Sequence, residues 1–200
     1  SFFAYKQATK INVATELDQL FVNKIFSVEL KNIHIFPNWI DIELFSRYEY
    51  SRKNLLFVGR LNKQKNLPLL FKALKGTGFE LDIAGEGELH DSLKLEASKL
   101  QIKVNFLGVV DNDQLYKLYN THSIFILCSK YEGNPKTMLE AMSCGSAVIG
   151  TNVTGICNII NNGENGLLVN ENYIELREAI CSLSSDSGMR ESLGRNARKS

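Results

Sequence analysis

The chain repeats one unit: a short apolar run, often closed by glycine, followed by a segment of helical spacing. Leu55-Leu56-Phe57-Val58-Gly59, Leu81-Asp82-Ile83-Ala84-Gly85, Val104 to Gly108, Ser123 to Cys128 and Ala147 to Gly150 read as strands. Between them Leu67–Leu74, Leu89–Leu100, Asp111–Tyr119 and Pro135–Met142 read as helices. Leu89, Leu93, Ala97 and Leu100, for example, recur on one helical face. Strands this short and this apolar are buried on both faces. Alternating with helices, they predict an α/β fold, a three-layer, doubly wound parallel sheet of Rossmann-like type. Ligands of such sheets bind at the carboxyl ends of the strands, where strand order reverses. The loops after Val58, Ala84, Leu107, Leu127 and Ile149 are therefore the places to look for chemistry.

The flanks carry weaker signals. Residues 1–31 give only a helix near Glu16 to Lys24, with Thr15 as its N-cap. Ile33 to Phe36 reads as a strand stopped by a turn at Pro37-Asn38. Asp41 to Lys53 is polar with isolated aromatics and reads as a connector. Beyond Gly150, a short Ile159-Ile160 segment, a Gly166–Val169 strand, a helix over Ile174–Leu183 and a further helix after Gly188 are expected. Both ends read as cuts in a longer protein.

Charge and cysteine content exclude several classes. The 200 residues carry 23 Lys and Arg against 22 Asp and Glu, a net charge of +1, so no nucleic-acid surface is indicated. Cys128, Cys144, Cys157 and Cys181 form no CxxC pair, and His34, His90 and His122 are scattered without obvious partners. No zinc cluster is expected, and the cysteines read as buried thiols in a reducing compartment. No apolar run reaches the length of a membrane span. Asp111-Asn112-Asp113 has the form of a metal-binding DxD, but it opens a helix and reads better as a cap; no metal is expected.

Three loops carry candidate chemistry. Gly59-Arg60, with Lys65 close behind, suits two phosphate groups, Arg as a fork and Lys as a point charge; the alternative is an ordinary exposed basic loop. Gly85-Glu86-Gly87 permits a tight turn facing a ligand, but it lacks the third glycine of a dinucleotide fingerprint and equally fits a simple strand-to-helix turn. Glu132-Gly133-Asn134-Pro135-Lys136-Thr137-Met138-Leu139-Glu140 is more informative. Pro135 favours the first helical position, so free amides near Asn134 to Thr137 would meet a phosphate or sugar oxygen. Glu132 lies before the helix and Glu140 inside it; two carboxylates at a crevice can accept sugar and ribose hydroxyls. Glu132 alternatively stabilises a helix start, and Glu140 alternatively occupies an exposed position.

In order along the chain, these pieces resemble the second domain of the group-1 (family 4) retaining glycosyltransferases of GT-B fold. The resemblance rests on Pro37-Asn38-Trp39-Ile40-Asp41, Phe57-Val58-Gly59-Arg60-Leu61, Lys65-Asn66, Leu81 to Gly87, Phe106-Leu107-Gly108, Glu132 to Gly145, Val148 to Thr151 and Asn162 to Val169. It implies that Arg60 and Lys65 hold the donor diphosphate, that Glu132 touches the transferred sugar and that Glu140 binds the ribose. It further implies that Gly133, Asn134, Pro135 and Lys136 form the sugar and phosphate loop, that Thr137 and Met138 line the nucleotide, and that Gly59, Gly85 and Gly87 flank its pocket. Departures are Trp39 for glycine, Asn134 for a bulky apolar residue, Ser146 for proline and Ile156-Cys157-Asn158 for a proline–glutamate pair.

The domains implied are 1–36 as the remnant of an N-terminal acceptor domain, 37–53 as connector and 54–200 as the nucleotide-sugar-binding domain with its C-terminus truncated. The activity implied is sugar transfer with retention from a UDP-, GDP- or ADP-sugar to a saccharide or lipid-linked acceptor. It needs no other cofactor, and the fragment alone is expected to be inactive. The family setting is polysaccharide or glycolipid assembly in the cytoplasm, with peripheral contact at the inner membrane face. A noncatalytic nucleotide-sugar-binding partner of a transferase and a nucleotide-sugar epimerase of similar fold are the alternatives.

Overall fold

In the computed structural model, residues 8–36, 38–48 and 53–200 are described, the side chains of Lys53 and Asn54 excepted. Pro37 of the expected turn, residues 1–7 of the expected remnant and residues 49–52 of the expected connector lie outside the described residues.

Two parallel sheets are present among the described residues. The smaller pairs β1 (Ile11–Val13) with β2 (Ile33–Ile35) across the helix α1 (Glu16–Phe26). Thr15 caps α1, its hydroxyl oxygen accepting from the Asp18 amide at 3.1 Å, and Ser27 ends it in the left-handed conformation. Ile11, Val22, Val28 and Ile33 close a small core of their own. The opposite face of α1, with Leu17, Leu20, Phe21 and Ile25, is exposed.

The larger sheet contains β3 (Lys53–Val58), β4 (Glu80–Ala84), β5 (Lys103–Gly108), β6 (His122–Leu127), β7 (Ala147–Thr151) and β8 (Leu167–Val169). Their spatial order is β5-β4-β3-β6-β7-β8, every neighbouring pair parallel. The chain moves outward from β3 to β5, then crosses back to lay β6 on the other side of β3. That reversal opens a gap at the carboxyl ends of β3 and β6. The central strands turn apolar toward their carboxyl ends: Leu55 to Val58 and Ile124 to Leu127 are all buried. Edge strand β5 instead alternates between exposed and half-buried.

The crossovers are α2 (Leu67–Leu74), α3 (His90–Leu100), α4 (Asn112–Thr121) and α5 (Lys136–Ser143), followed by α6 (Tyr173–Ser185) and α7 (Ser187–Lys199). Pro68 stands in the first turn of α2, where its missing N–H costs nothing. At its other end Arg177 of α6 donates to the carbonyls of Lys72, Ala73 and Lys75, satisfying groups the helix cannot.

Several expectations are corrected. The short Ile159-Ile160 segment ends a turn, with Ile160 buried in the core and Ile159 packed against it. Cys128 and Cys144 are buried, but Cys157 and Cys181 are exposed. Asp111 occupies the N-cap position of α4 without a side-chain cap bond. Pro135 is the N-cap of α5 instead of its first residue. His122 has a partner after all: its Nε2 lies 2.9 Å from Asp82 Oδ2, and Asn105 donates to the other Asp82 oxygen at 2.7 Å.

Candidate active site

The crevice forms where strand order reverses. Its first wall follows β3: Gly59, Arg60 and then the turn 62–65, closed by the Lys65 amide donating to Asn62. Its second wall follows β6 and runs from Glu132 into the start of α5. Together they enclose about 390 Å³. The walls are stitched at the base, where the Lys130 amide donates to the Gln64 carbonyl at 2.8 Å and Gln64 Nε2 to the Tyr131 carbonyl at 2.9 Å. A smaller recess of about 220 Å³ shares Gly59 and Arg60 with the crevice and reaches Gly85, Val110 and Leu115.

Charge is arranged across this gap. Lys65 Nζ lies 2.5 Å from Glu132 Oε1, and the Ser129 hydroxyl donates to the same oxygen at 2.5 Å. The two charged side chains are 15% and 8% exposed. The Arg60 side chain is exposed and carries no hydrogen bond or ion pair among the described residues. Opposite it, α5 starts without a side-chain cap. Pro135 offers its carbonyl to the amides of Met138 and Leu139, which leaves those of Lys136 and Thr137 without an acceptor inside the helix. Open helix-start amides and a free guanidinium on one gap are groups that can meet an anion.

The loop carrying Glu132 is held from below and from the side. A side chain at Gly155 would overlap the carbonyl oxygens of Glu132 and Gly133, so the loop rests directly on that glycine. Asn38 Nδ2 donates to the Asn134 carbonyl at 2.5 Å, tying the segment before β3 to the loop. Oδ1 of Asn134 is buried without a partner. Such an orphaned acceptor costs about 1–3 kcal/mol.

Glu140 lies behind the wall rather than on it. It is 2% exposed, accepts from the buried Tyr119 hydroxyl at 2.9 Å and lies 4.0 Å from Lys136 Nζ. Burial raises its pKa, against the lowering effects of the Tyr119 hydrogen bond and the Lys136 charge. Burial, with Glu140 beside it, also keeps the Tyr119 hydroxyl protonated far into the alkaline range. Burial pushes the Cys128 thiol up to about 12, and it packs under the carbonyl of Lys65 as an inert group.

Of the residues singled out in the sequence, Gly59, Arg60, Lys65, Glu132, Asn134, Pro135, Lys136 and Thr137 line the crevice, and Gly85 lines the smaller recess. Gly87 lines neither; a side chain there would overlap the backbone of Leu61. Gly85 has the same tight relation to Gly59, so both glycines let the loops after β3 and β4 nest. Met138 is buried in the core and Gly133 sits on the loop without lining the crevice. Sequence reasoning missed Asn38, Asn62 and Gln64 on the walls and Ser129 behind Glu132. Only Asn38 had a signal, as part of the motif that begins at Pro37. Among the described residues no group of three or more His, Cys, Asp or Glu could hold a metal ion, and no helix is long and apolar enough to cross a membrane.

With this geometry stands a family. Residues 46–200 match the model of the glycosyl transferases group 1, and the chain belongs to that family. A glycosyltransferase of Methanocaldococcus jannaschii, itself uncharacterised, is 36% identical over 154 residues, 74% of this chain and 40% of its own length. A Campylobacter jejuni α-1,4-N-acetyl-D-galactosaminyltransferase, named for a diNAcBac-PP-undecaprenol-linked saccharide, is 31% identical over 205 residues, 98% of this chain and 56% of its own. The chain thus spans about half the length of the curated relatives it matches.

Among solved structures, Anabaena HepE in complex with UDP-glucose superposes with a TM-score of 0.87 at 20% identity, over 98% of this chain and 59% of that one. Staphylococcus aureus TarM, in a complex containing UDP, gives 0.86 at 21% identity, over 98% and 42%. At these identities the likeness concerns the fold, which is the Rossmann-like sheet of the GT-B glycosyltransferases.

Proposed function

We propose that this chain supplies the donor site of a retaining glycosyltransferase, binding a nucleoside diphosphate sugar in the crevice between β3 and β6. The observation that carries the reading is the convergence of Arg60, Lys65, Glu132 and the open start of α5 on one gap at the sheet's reversal point. Arg60 and Lys65 hold the diphosphate with the amides of Lys136 and Thr137. As the bond from sugar to β-phosphate breaks, these fixed donors stabilise the charge that builds there without a metal. Glu132 accepts from a hydroxyl of the transferred sugar; Glu140, buried behind the wall and bonded to Tyr119, supports the start of α5 instead of touching the ribose.

Retention by attack on the donor's front face suits Glu132 as found. In that route Glu132 orients the sugar through its free Oε2, and the leaving phosphate takes the acceptor proton. The nucleotide-sugar domain is 54–200, residues 37–53 connect, and residues up to 36 belong to an acceptor-binding domain whose further parts pack on the exposed face of α1. The acceptor is a saccharide or a lipid-linked saccharide met at the cytoplasmic face of a membrane; the Campylobacter relative's name supports that class.

Calorimetry with UDP, GDP and ADP and their sugars tests the reading. Micromolar to millimolar binding of one nucleotide, abolished or cut at least tenfold by Arg60→Ala, is expected. No binding of any of the three would overturn the proposal.

A further inference from the structure

We propose that Ser129 and Thr151 are positioning residues for Glu132, fixing one carboxylate oxygen so that the other meets the transferred sugar. The inference rests on the crevice being a nucleotide-sugar site. Ser129 is fully buried just past the end of β6 and does not line the crevice. Its hydroxyl donates to Glu132 Oε1 at 2.5 Å, the oxygen that also takes Lys65 Nζ. Its carbonyl accepts from the buried Thr151 hydroxyl at 2.5 Å, at the carboxyl end of β7.

Hydroxyls kept in an apolar interior are there for the partners they satisfy. These two run in series from β7 to Glu132. Beneath them Gly155 supports the backbone of the same glutamate. The carboxylate is thus held at its backbone by contact and at Oε1 by two donors. Oε2 carries no bond among the described residues, and it remains as the acceptor for a sugar hydroxyl. Lys65 alone could hold Oε1, but a flexible four-carbon ammonium fixes distance poorly. The serine, one covalent turn from the strand, fixes direction.

The effect should fall on the sugar and spare the nucleotide, a split that general loosening would not give. The full chain is titrated calorimetrically with UDP, GDP and ADP, and in parallel with UDP-glucose, UDP-N-acetylgalactosamine, GDP-mannose and ADP-glucose. For the nucleotide that binds, Ser129→Ala is expected to weaken the sugar form about 10-fold while the free diphosphate stays within about twofold. Thr151→Val should do the same to a smaller extent, about threefold. In a Glu132→Ala background, which removes both carboxylate oxygens, Ser129→Ala should add nothing.

Equal weakening of both ligand forms, no change in either, or full additivity with Glu132→Ala would overturn the positioning role and leave the donor site standing. Failure of the unaltered chain to bind any of the seven probes would remove the donor site and this inference together.

Discussion

Lys65 and Glu132 stand 67 positions apart in the chain, yet Nζ and Oε1 are 2.5 Å apart, with both side chains largely withdrawn from water. The pair bridges the two walls of the crevice. A charge this far from solvent needs its partner. Lys65→Met should therefore lower stability by about 2–3 kcal/mol in urea unfolding, and Lys65→Met with Glu132→Gln should recover part of that loss. Equal stability of the single and double variants would show that the pair contributes nothing across the gap.

Arg60 provides the opposite case. It is exposed and unpaired among the described residues, so Arg60→Ala should leave stability within about 0.5 kcal/mol of the parent. Nucleoside diphosphate affinity should nonetheless fall about 10- to 100-fold. Calorimetry and thermal unfolding on the same sample separate the two effects.

Glu140 gives a pH dependence with a definite sign. Burial raises its folded-state pKa above the ordinary carboxylate value. The folded chain then holds this proton where the unfolded chain has released it. Stability falls as pH rises from the unfolded pKa through the raised one, and is level above it. Glu140→Gln removes that contribution. The difference between the stability curves of parent and variant should grow in the variant's favour across that window and flatten at higher pH. A flat difference from pH 4 to 8 would contradict it.

Gly85→Ala tests the nesting of the loops after β3 and β4. Its φ of +134° and the carbonyl oxygen of Gly59 both oppose a side chain. A loss of about 3 kcal/mol is expected, read as a fall of several degrees in Tm. Gly76→Ala, where nothing lies within reach of a new methyl, should cost less, from its backbone conformation alone.

Much of the fold was legible because the period of its apolar residues changes with each element. The helix Leu67–Leu74 was read to the residue, and the strands of the larger sheet to within one or two. Strand β1 was missed: Ile11-Asn12-Val13 is too short to show alternation, and only its pairing with β2 makes it a strand. His122 was read without a partner because Asp82 is brought to it by the sheet, 40 positions away in sequence. The crevice was anticipated from strand ends. The depth of Glu140 was not, since helical spacing fixes a direction about the axis and not what packs there. Ser129 carried no signal; a serine after an apolar strand looks like a turn residue until Glu132 folds back onto it.

Because the order of the strands reverses at β3, the crevice is a joint property of two segments that share no wall. The segment after β3 contributes one side and the segment after β6 the other, so neither contains a site in miniature. A ligand spanning the gap is a clasp between them: it raises the free energy needed to part the halves by RT ln(1 + [L]/Kd). On the proposed reading, a change that weakens the seating of either segment weakens binding as well as stability.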